Sequence, residues 1–149
     1  MTPAHLDVAV VTNRLRLLQE TLDQLAEVRG ITAERLRSEA LVRAGVERLL
    51  QVVVDLAVDV NVHVVTALLG RAPITGRESF FAAEEAGVLE ADLAQRLAPS
   101  AGLRNVLVHR YTDIRVDLVA AAVGEVLDVY PAYVEQVATF VRDHEREQR

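Results

Sequence analysis

The longest apolar stretch of the chain, residues 42–69, carries a polar side chain at every fourth position from 47 to 63. Those positions are Glu47, Gln51, Asp55, Asp59 and His63. Residues 58–64 also alternate apolar and polar side chains, as strands do, and valine favours strands. A repeat of four, however, aligns side chains along one face of a helix, and both flanks of the segment have helical spacing. We therefore predict a helical region that begins after Ile31 and ends at about Leu69, before Gly70.

The segments on either side of this region also have helical patterns. A first helix is predicted from Asp7 to Arg29, because its leucines recur at spacings of three and four. Gly30 follows at the position where a C-cap glycine ends a helix. Thr75 and Glu78 match a capping box, so a short helix is expected to begin there and to end near Gly87.

Two further helices complete the pattern. One begins at about Glu90 and is expected to bend or break near Pro99. The last follows Asp113 and runs to about Asp143, with Pro131 kinking it or dividing it in two. Glycine and proline are too few for a fold with many tight turns. The chain is therefore predicted to be all-α, an antiparallel bundle of about four to five helices.

Composition narrows the function classes. The length suits one domain with its own core, so residues 1–149 are predicted to form a single domain. There is no cysteine, which excludes disulfides and thiolate zinc sites. No secretory signal or stretch of about 18 uncharged apolar residues is visible, so we expect a cytoplasmic protein without membrane contact. The net charge of −6 argues against a broad nucleic-acid surface, but every one of the 16 basic residues is arginine, a good bidentate phosphate ligand.

The densest polar cluster in this apolar chain is the stretch GLRNVLVHRYTD, residues 102–113. On a helix, Arg104 and Tyr111 lie almost on one line, and Asn105 and His109 form a pair four residues apart. Arg104 and His109 are separated by about 140° around the axis and about 7.5 Å along it. They converge only if the helix ends or bends near His109, or if a second copy of the chain supplies a partner.

The simplest interpretation of this cluster is a helix end with a cationic face. Val106 and Leu107 would then point toward the core, and His109 and Tyr111 would be hydrogen-bonded structural groups. The order of residue types favours a second interpretation, because the cluster has an arginine, then four residues, a histidine, one residue and a tyrosine. This arrangement resembles the HEPN superfamily, whose ribonucleases share such an arginine–histidine pair. With asparagine after the arginine and tyrosine two beyond the histidine, it is similar to the HepT-like toxins, and the resemblance covers residues 42–119.

The resemblance implies a metal-independent endoribonuclease that needs no cofactor and acts as the toxin of a toxin–antitoxin pair. In such enzymes the 2′-hydroxyl of RNA attacks the adjacent phosphate. His109 can give and take a proton near neutral pH, and Arg104 carries a fixed positive charge for the developing phosphorane. Asn105 would orient a phosphate oxygen or the histidine. Arg110, and Arg115 beyond it, would add phosphate contacts.

The resemblance also implies two protein partners. HEPN sites form between two protomers, so a homodimer or a higher oligomer is expected. HepT-like toxins pair with a small nucleotidyltransferase antitoxin that adds AMP to the tyrosine of the motif, here Tyr111. Bulky negative charge at Tyr111 would repel RNA phosphate from Arg104 and His109. The alternative interpretation of Tyr111 is a packing residue whose hydroxyl caps a helix end.

Two other interpretations remain open. A non-catalytic HEPN module would use the same cleft to hold a nucleotide or the nucleotidyltransferase, although such a module would not require the arginine–histidine pair. Asp55, Asp59 and His63 share one helical stripe and could in principle bind a metal. Ligands strung along one helix differ in height, however, and no second cluster completes a shell. We therefore predict no metal site, and expect the stripe to face a neighbouring helix or the active-site cleft.

Overall fold

The computed structural model describes residues 5–108 and 115–149, and these residues fold as helices around an aliphatic core. The helices are α1 (Val8–Ala26), α2 (Ala33–Ser38), α3 (Ala40–Leu69), α4 (Gly76–Glu85), α5 (Ala91–Leu97), α6 (Ala101–Val108) and α7 (Val116–Glu147). A single 3-10 turn, Ala98–Ser100, joins α5 to α6. The described part of the chain contains no strand, so the prediction of an all-α bundle is confirmed.

The three long helices form the frame of the bundle. α3 packs against α1 on one side and against α4 and α6 on the other, and α7 packs against α1. The Asp7 backbone N–H, at the start of α1, donates to His63 Nε2 near the end of α3 at 3.0 Å. Arg29, just after α1, pairs at 3.6 Å with Asp128 in the first half of α7. These contacts show that α1 runs antiparallel to α3 and also to α7.

Local signals placed several helix ends correctly. Residues 58–64 are helical, as the repeat of four predicted. Gly70 ends α3 with φ +72°, in the left-handed region that favours glycine. The Thr75 hydroxyl accepts from the Glu78 N–H at 3.1 Å, and the Glu78 carboxylate accepts from the Ile74 N–H. The predicted capping box therefore begins α4, although its carboxylate returns to the residue before the threonine.

Two predicted helices are each divided. The region from Ile31 to Leu69 breaks at Glu39, whose φ of −119° and ψ of 87° are not helical. Thr32 begins α2 by accepting from the Arg35 N–H at 3.2 Å. The helix from Glu90 breaks at the turn that contains Pro99, as expected, because proline lacks an N–H. The described bundle thus has more helices than the four to five expected.

The last helix is longer than the sequence suggested, and of the two predicted effects of Pro131 the division of the helix does not occur. Pro131 lies inside α7 without dividing it, and the helix continues past Asp143 to Glu147. Tyr130 and Tyr133, on either side of the proline, are fully buried. We attribute the continuity to their packing, which outweighs the one backbone hydrogen bond that proline removes.

A buried polar network joins three helices at the centre of the aliphatic core. The Tyr133 hydroxyl on α7 donates toward Asn61 Oδ1 at 2.7 Å and the Ala57 carbonyl at 3.0 Å, both on α3. Asn61 Nδ2 donates to Ser79 Oγ on α4 at 3.1 Å, and Ser79 donates to the Gly76 carbonyl at 2.6 Å. Every buried member has a partner, so the network fixes how α3, α4 and α7 lie against one another.

By length and composition, α3 is apolar enough to cross a membrane. The core helix of a soluble protein passes the same test, and α3 contributes buried side chains to the core along most of its length. Cytoplasmic location and the absence of membrane contact stay predictions.

Candidate active site

The motif arginine and asparagine lie on α6, and both side chains are exposed. Leu107, on the same helix, is buried with 4% exposure. The prediction that Leu107 points toward the core is therefore confirmed. The same prediction for Val106 is wrong, because Val106 is 38% exposed beside Asn105. One turn of α6 thus presents Arg104, Asn105 and Val106 to solvent.

Arg104 is held by a carboxylate from α3. Arg104 Nε lies 3.2 Å from Asp55 Oδ1, and the arginine side chain keeps 56% of its surface exposed. Asp55 Oδ1 is buried and accepts no aligned hydrogen bond from any described residue. The contact is therefore an ion pair whose geometry falls short of a hydrogen bond. It restrains the arginine near its backbone end and leaves part of the side chain open to solvent.

Arg104 and Asn105 form one wall of a cleft of about 480 Å³, which we call the α4–α6 cleft. It is lined by Val54, Val58, Thr75, Gly76, Arg77, Ala98, Pro99, Ala101, Gly102, Arg104 and Asn105. Valines from α3 form the floor, the first turn of α4 forms the second wall, and the 3-10 turn closes one end. A volume of this size falls in the range of ligand clefts in proteins.

Close packing fixes the distance between the two walls of the cleft. A Cβ atom on Gly76 would lie 3.4 Å from the Ala101 Cβ and 3.4 Å from a Val58 methyl. The Gly76 carbonyl is bonded by Ser79 of the buried network, and the Ser100 hydroxyl, just before α6, bonds the buried Tyr130 hydroxyl at 2.7 Å. Both walls are therefore tied to the rigid interior.

Three residues of the motif, His109, Arg110 and Tyr111, lie outside the described residues. Their predicted roles are therefore untested by the geometry. Arg115, the first residue described beyond them, pairs with Asp117 Oδ2 at 2.8 Å. The hydrogen bond from Arg115 lowers the pKa of Asp117, so this arginine already has a charged partner two residues further along the chain.

The polar stripe on α3 does not act as one unit. Glu47 is buried and pairs with Arg43 at 2.9 Å, whereas Asp55 pairs with Arg104. His63 accepts from the backbone of Asp7. Within residues 5–108 and 115–149, no group of three histidine, aspartate or glutamate side chains is arranged to hold a metal ion. Along the stripe, Glu47 pairs within α3 and Asp59 is exposed, whereas Asp55 reaches the candidate site on α6.

Sequence reasoning missed one wall of this cleft. Thr75 was predicted as a helix cap, but neither it nor Arg77 was linked to the motif on α6. The loop that precedes α4 gives no functional signal of its own. The arrangement follows from the packing of α4 against α3 and α6, which the sequence does not reveal.

Comparison with known proteins identifies the relatives of this chain. The profile of the family described as "Ribonuclease HepT-like" matches residues 18–137. The chain belongs to the HepT-like family. It is 33% identical over 143 residues to the tRNA nuclease HepT of Aphanizomenon flos-aquae (strain 2012/KM1/D3), a match that covers 96% of this chain and 97% of that protein. The HepT-like resemblance seen in the motif is therefore confirmed.

Solved structures share the HepT-like fold. A tri-AMPylated HEPN toxin of Shewanella oneidensis, in complex with its MNT antitoxin, superposes with a TM-score of 0.76 at 19% identity, covering 87% of this chain and 97% of that one. A toxin–antitoxin complex with AMP-PNP gives a TM-score of 0.78 at 18% identity, covering 88% and 98%. At such identities these likenesses establish the HEPN fold for this HepT-like chain.

Proposed function

We propose that this chain is a metal-independent endoribonuclease, the toxin of a toxin–antitoxin pair, and that its reaction takes place beside the α4–α6 cleft. The observation that carries the proposal is the placement of Arg104 and Asn105 on the wall of an open cleft, with Arg104 restrained by Asp55. Membership of the HepT-like family, and similarity to a protein named tRNA nuclease HepT, support RNA as the substrate.

The proposed reaction is an internal transfer within RNA. The 2′-oxygen forms a bond to the adjacent phosphorus as the bond to the 5′-oxygen of the next nucleotide breaks. The products are a cyclic phosphate and a free 5′-hydroxyl. His109 takes the proton of the 2′-hydroxyl and returns a proton to the leaving oxygen. Arg104 stabilises the extra negative charge on the phosphorane, and Asn105 donates to a phosphate oxygen.

A second copy of the chain completes this site in the proposal. Arg104 and His109 are about 140° apart around a continuous helix, so one helix does not bring them to the same phosphate. Pairing of two chains through their motif helices supplies each Arg104 with a histidine across the interface. Arg110, from either chain, then adds a phosphate contact. The expected solution state is a homodimer or a multiple of it.

Tyr111 is the proposed site of AMP addition by a nucleotidyltransferase antitoxin. The chain has three tyrosines, and Tyr130 and Tyr133 are 1% and 0% exposed. A transferase cannot reach those two hydroxyls in the folded protein, so Tyr111 is the tyrosine left for modification. A HEPN toxin of the same fold is described as tri-AMPylated in its complex with an MNT antitoxin, which supports this regulation.

The test is cleavage of RNA by the purified protein with a chelator present, beside His109→Ala and Arg104→Ala. We expect cleavage that leaves a cyclic phosphate in the wild type and its loss in both variants. Arg142→Ala, which removes an exposed arginine from α7, is the matched control and should cleave normally. Equal behaviour of wild type and both motif variants would instead favour a non-catalytic module that holds a nucleotide or the antitoxin in the cleft.

A further inference from the structure

The clefts of this molecule differ in charge. The cleft between the α4–α5 turn and α7 is lined by Glu90, Glu135 and Asp143, with no arginine among its described lining residues. The α4–α6 cleft has the opposite character: Arg77 and Arg104 line it, and none of its described lining residues is a carboxylate. On a chain of net charge −6 this is a local reversal of sign. A cleft of that kind attracts an anion.

The second arginine of the cleft, Arg77, is exposed on the first turn of α4. Its guanidinium carbon lies 5.8 Å from the centroid of the Phe81 ring, one turn further along the helix. No described carboxylate forms an ion pair with it. The ring holds the flat guanidinium in place by a cation–π contact, and the charge stays available to a ligand.

Two carboxylates lie next to the cleft, and each already has a partner. Glu78, next to Arg77 in the chain, accepts from the Ile74 N–H at 3.1 Å. Asp55 pairs with Arg104. Neither forms an ion pair with Arg77, so the guanidinium of Arg77 is not engaged by these two carboxylates.

We propose that Arg77 and Phe81 form a phosphate subsite for single-stranded RNA. The subsite lies on the α4 wall of the cleft, across from Arg104, which binds the scissile phosphate on the α6 wall. Arg77 binds a phosphodiester next to the scissile one, and Phe81 positions its guanidinium. The cleft then holds the intervening nucleotide between α4 and α6. This inference rests on the proposed function for its ligand and adds a binding contact that the motif on α6 does not contain.

The experiment measures RNA binding without cleavage. All proteins carry His109→Ala, so that a short fluorescein-labelled single-stranded RNA stays intact, and fluorescence anisotropy gives Kd between about 50 and 200 mM salt. Arg77→Gln should weaken binding several-fold at low salt and reduce the slope of log K against log salt by about 0.7, as loss of one single-strand phosphate contact does. Arg37→Gln, an exposed arginine on α2 away from the cleft, is the matched control.

Two further variants separate the effect of the Arg77 charge from the effect of its contact with the Phe81 ring. Arg77→Lys keeps the charge and should keep the salt slope. Phe81→Leu should weaken binding without changing the slope, because it removes the support and not the charge. Both side chains are at the surface, so thermal melting should match the parent protein.

The subsite is wrong if Arg77→Gln changes Kd and slope no more than Arg37→Gln does. It is also wrong if Arg77→Gln leaves RNA binding unchanged and weakens the complex with the nucleotidyltransferase antitoxin, which would make this wall a protein interface. Failure of the proposed function has a different signature: the chain that keeps His109 does not cleave RNA, whereas binding that depends on Arg77 persists in the His109→Ala proteins and upholds the subsite.

Discussion

The carboxylate of Asp55 lies 3.2 Å from Arg104 Nε and joins α3 to α6 beside the cleft. Both side chains are more than one third exposed, so the pair adds at most about 1 kcal/mol to folding. Its importance is therefore expected in the geometry of the reaction. An arginine already restrained near its backbone end loses less freedom when its outer nitrogens meet a phosphate.

Asp55→Asn should lower the rate of RNA cleavage without lowering the stability of the fold. We expect kcat to fall about tenfold, equivalent to about 1.4 kcal/mol of transition-state stabilisation, with KM unchanged or lower because a negative charge near the RNA is removed. The melting temperature should change little. Steady-state cleavage kinetics and thermal melting measure both effects. Asp128→Asn, which breaks the exposed pair with Arg29, is the control and should leave both kinetic constants unchanged. A rise in kcat in Asp55→Asn would mean that the pair restrains Arg104 away from its working position.

Arg104→Lys should lose cleavage activity, although lysine keeps the positive charge. Lysine keeps the positive charge but has no Nε to meet Asp55 and no planar fork for two phosphate oxygens. We expect activity close to that of Arg104→Ala in the same cleavage assay. The equivalent change at Arg71, whose ion pair with Glu85 lies outside the cleft, should leave cleavage unaffected. Full activity of Arg104→Lys would show that a point charge is sufficient and that the Asp55 contact is incidental.

Substitution of two asparagines by alanine should have different effects: one should lower the stability of the fold, the other the rate of cleavage. Asn61 is 1% exposed and bonds both Tyr133 and Ser79. Asn61→Ala removes both hydrogen bonds and leaves Tyr133 with only the Ala57 carbonyl and Ser79 with only the Gly76 carbonyl, so we expect a loss of about 3 kcal/mol, which corresponds to roughly 6–12 °C in a domain of this size. Asn105→Ala changes an exposed residue of the cleft and should lower cleavage with little change in melting temperature. Thermal melting and cleavage of the two variants, measured side by side, decide this. Equal loss of stability in both would contradict the exposed placement of Asn105.

The folded protein should lose stability at high pH through two tyrosines. Burial raises the pKa of Tyr130 and Tyr133 above the ordinary value near 10. Below about pH 10 both folded and unfolded chains keep these hydroxyls neutral, so the two tyrosines add no pH dependence to stability. Above it the unfolded chain ionises and the folded chain does not, so stability falls by up to roughly 1.4 kcal/mol per pH unit for each tyrosine.

The absence of lysine and cysteine makes this pH dependence easy to assign. Between about pH 8.5 and 12, tyrosine is the side chain in this sequence that titrates. Denaturant unfolding of the wild type should show a falling free energy from about pH 10. The Tyr130→Phe and Tyr133→Phe double variant should show a flatter profile from a lower starting stability. An unchanged profile in the double variant would assign the pH dependence to Tyr111 or to another source.

Local signals in the sequence predicted the parts of the fold that depend on few neighbours. Gly70 ends α3 and Thr75 begins α4 because each acts through its own backbone or the next turn. The break at Glu39 escaped prediction because neither glycine nor proline marks it. Division of α7 at Pro131 does not occur, because the tyrosines that keep α7 continuous meet their partners on other helices, which the sequence does not reveal.

The candidate site shows the same division. Arg104 and Asn105 were found from residue order within one helix. The sequence marked Asp55 as part of the polar stripe on α3. Its partner Arg104 lies 49 positions further along the chain, so the sequence alone did not connect the two. Arg77 had no motif around it. The i, i+4 spacing of Arg77 and Phe81 on a helix that begins at Gly76 was the available signal, and it gains meaning from the cleft that α6 completes.

The buried polar network at the centre of the bundle limits which substitutions the core of such a sequence can accept. Valine, leucine and isoleucine can replace one another over much of the core, since neighbouring side chains repack. Asn61, Ser79 and Tyr133 differ, because losing one of them removes a hydrogen bond from a neighbouring side chain that is buried away from water. A single exchange is therefore costly, whereas an apolar replacement of all three together is not. In a library of randomised cores, the surviving chains should keep the three as a unit or discard them as a unit.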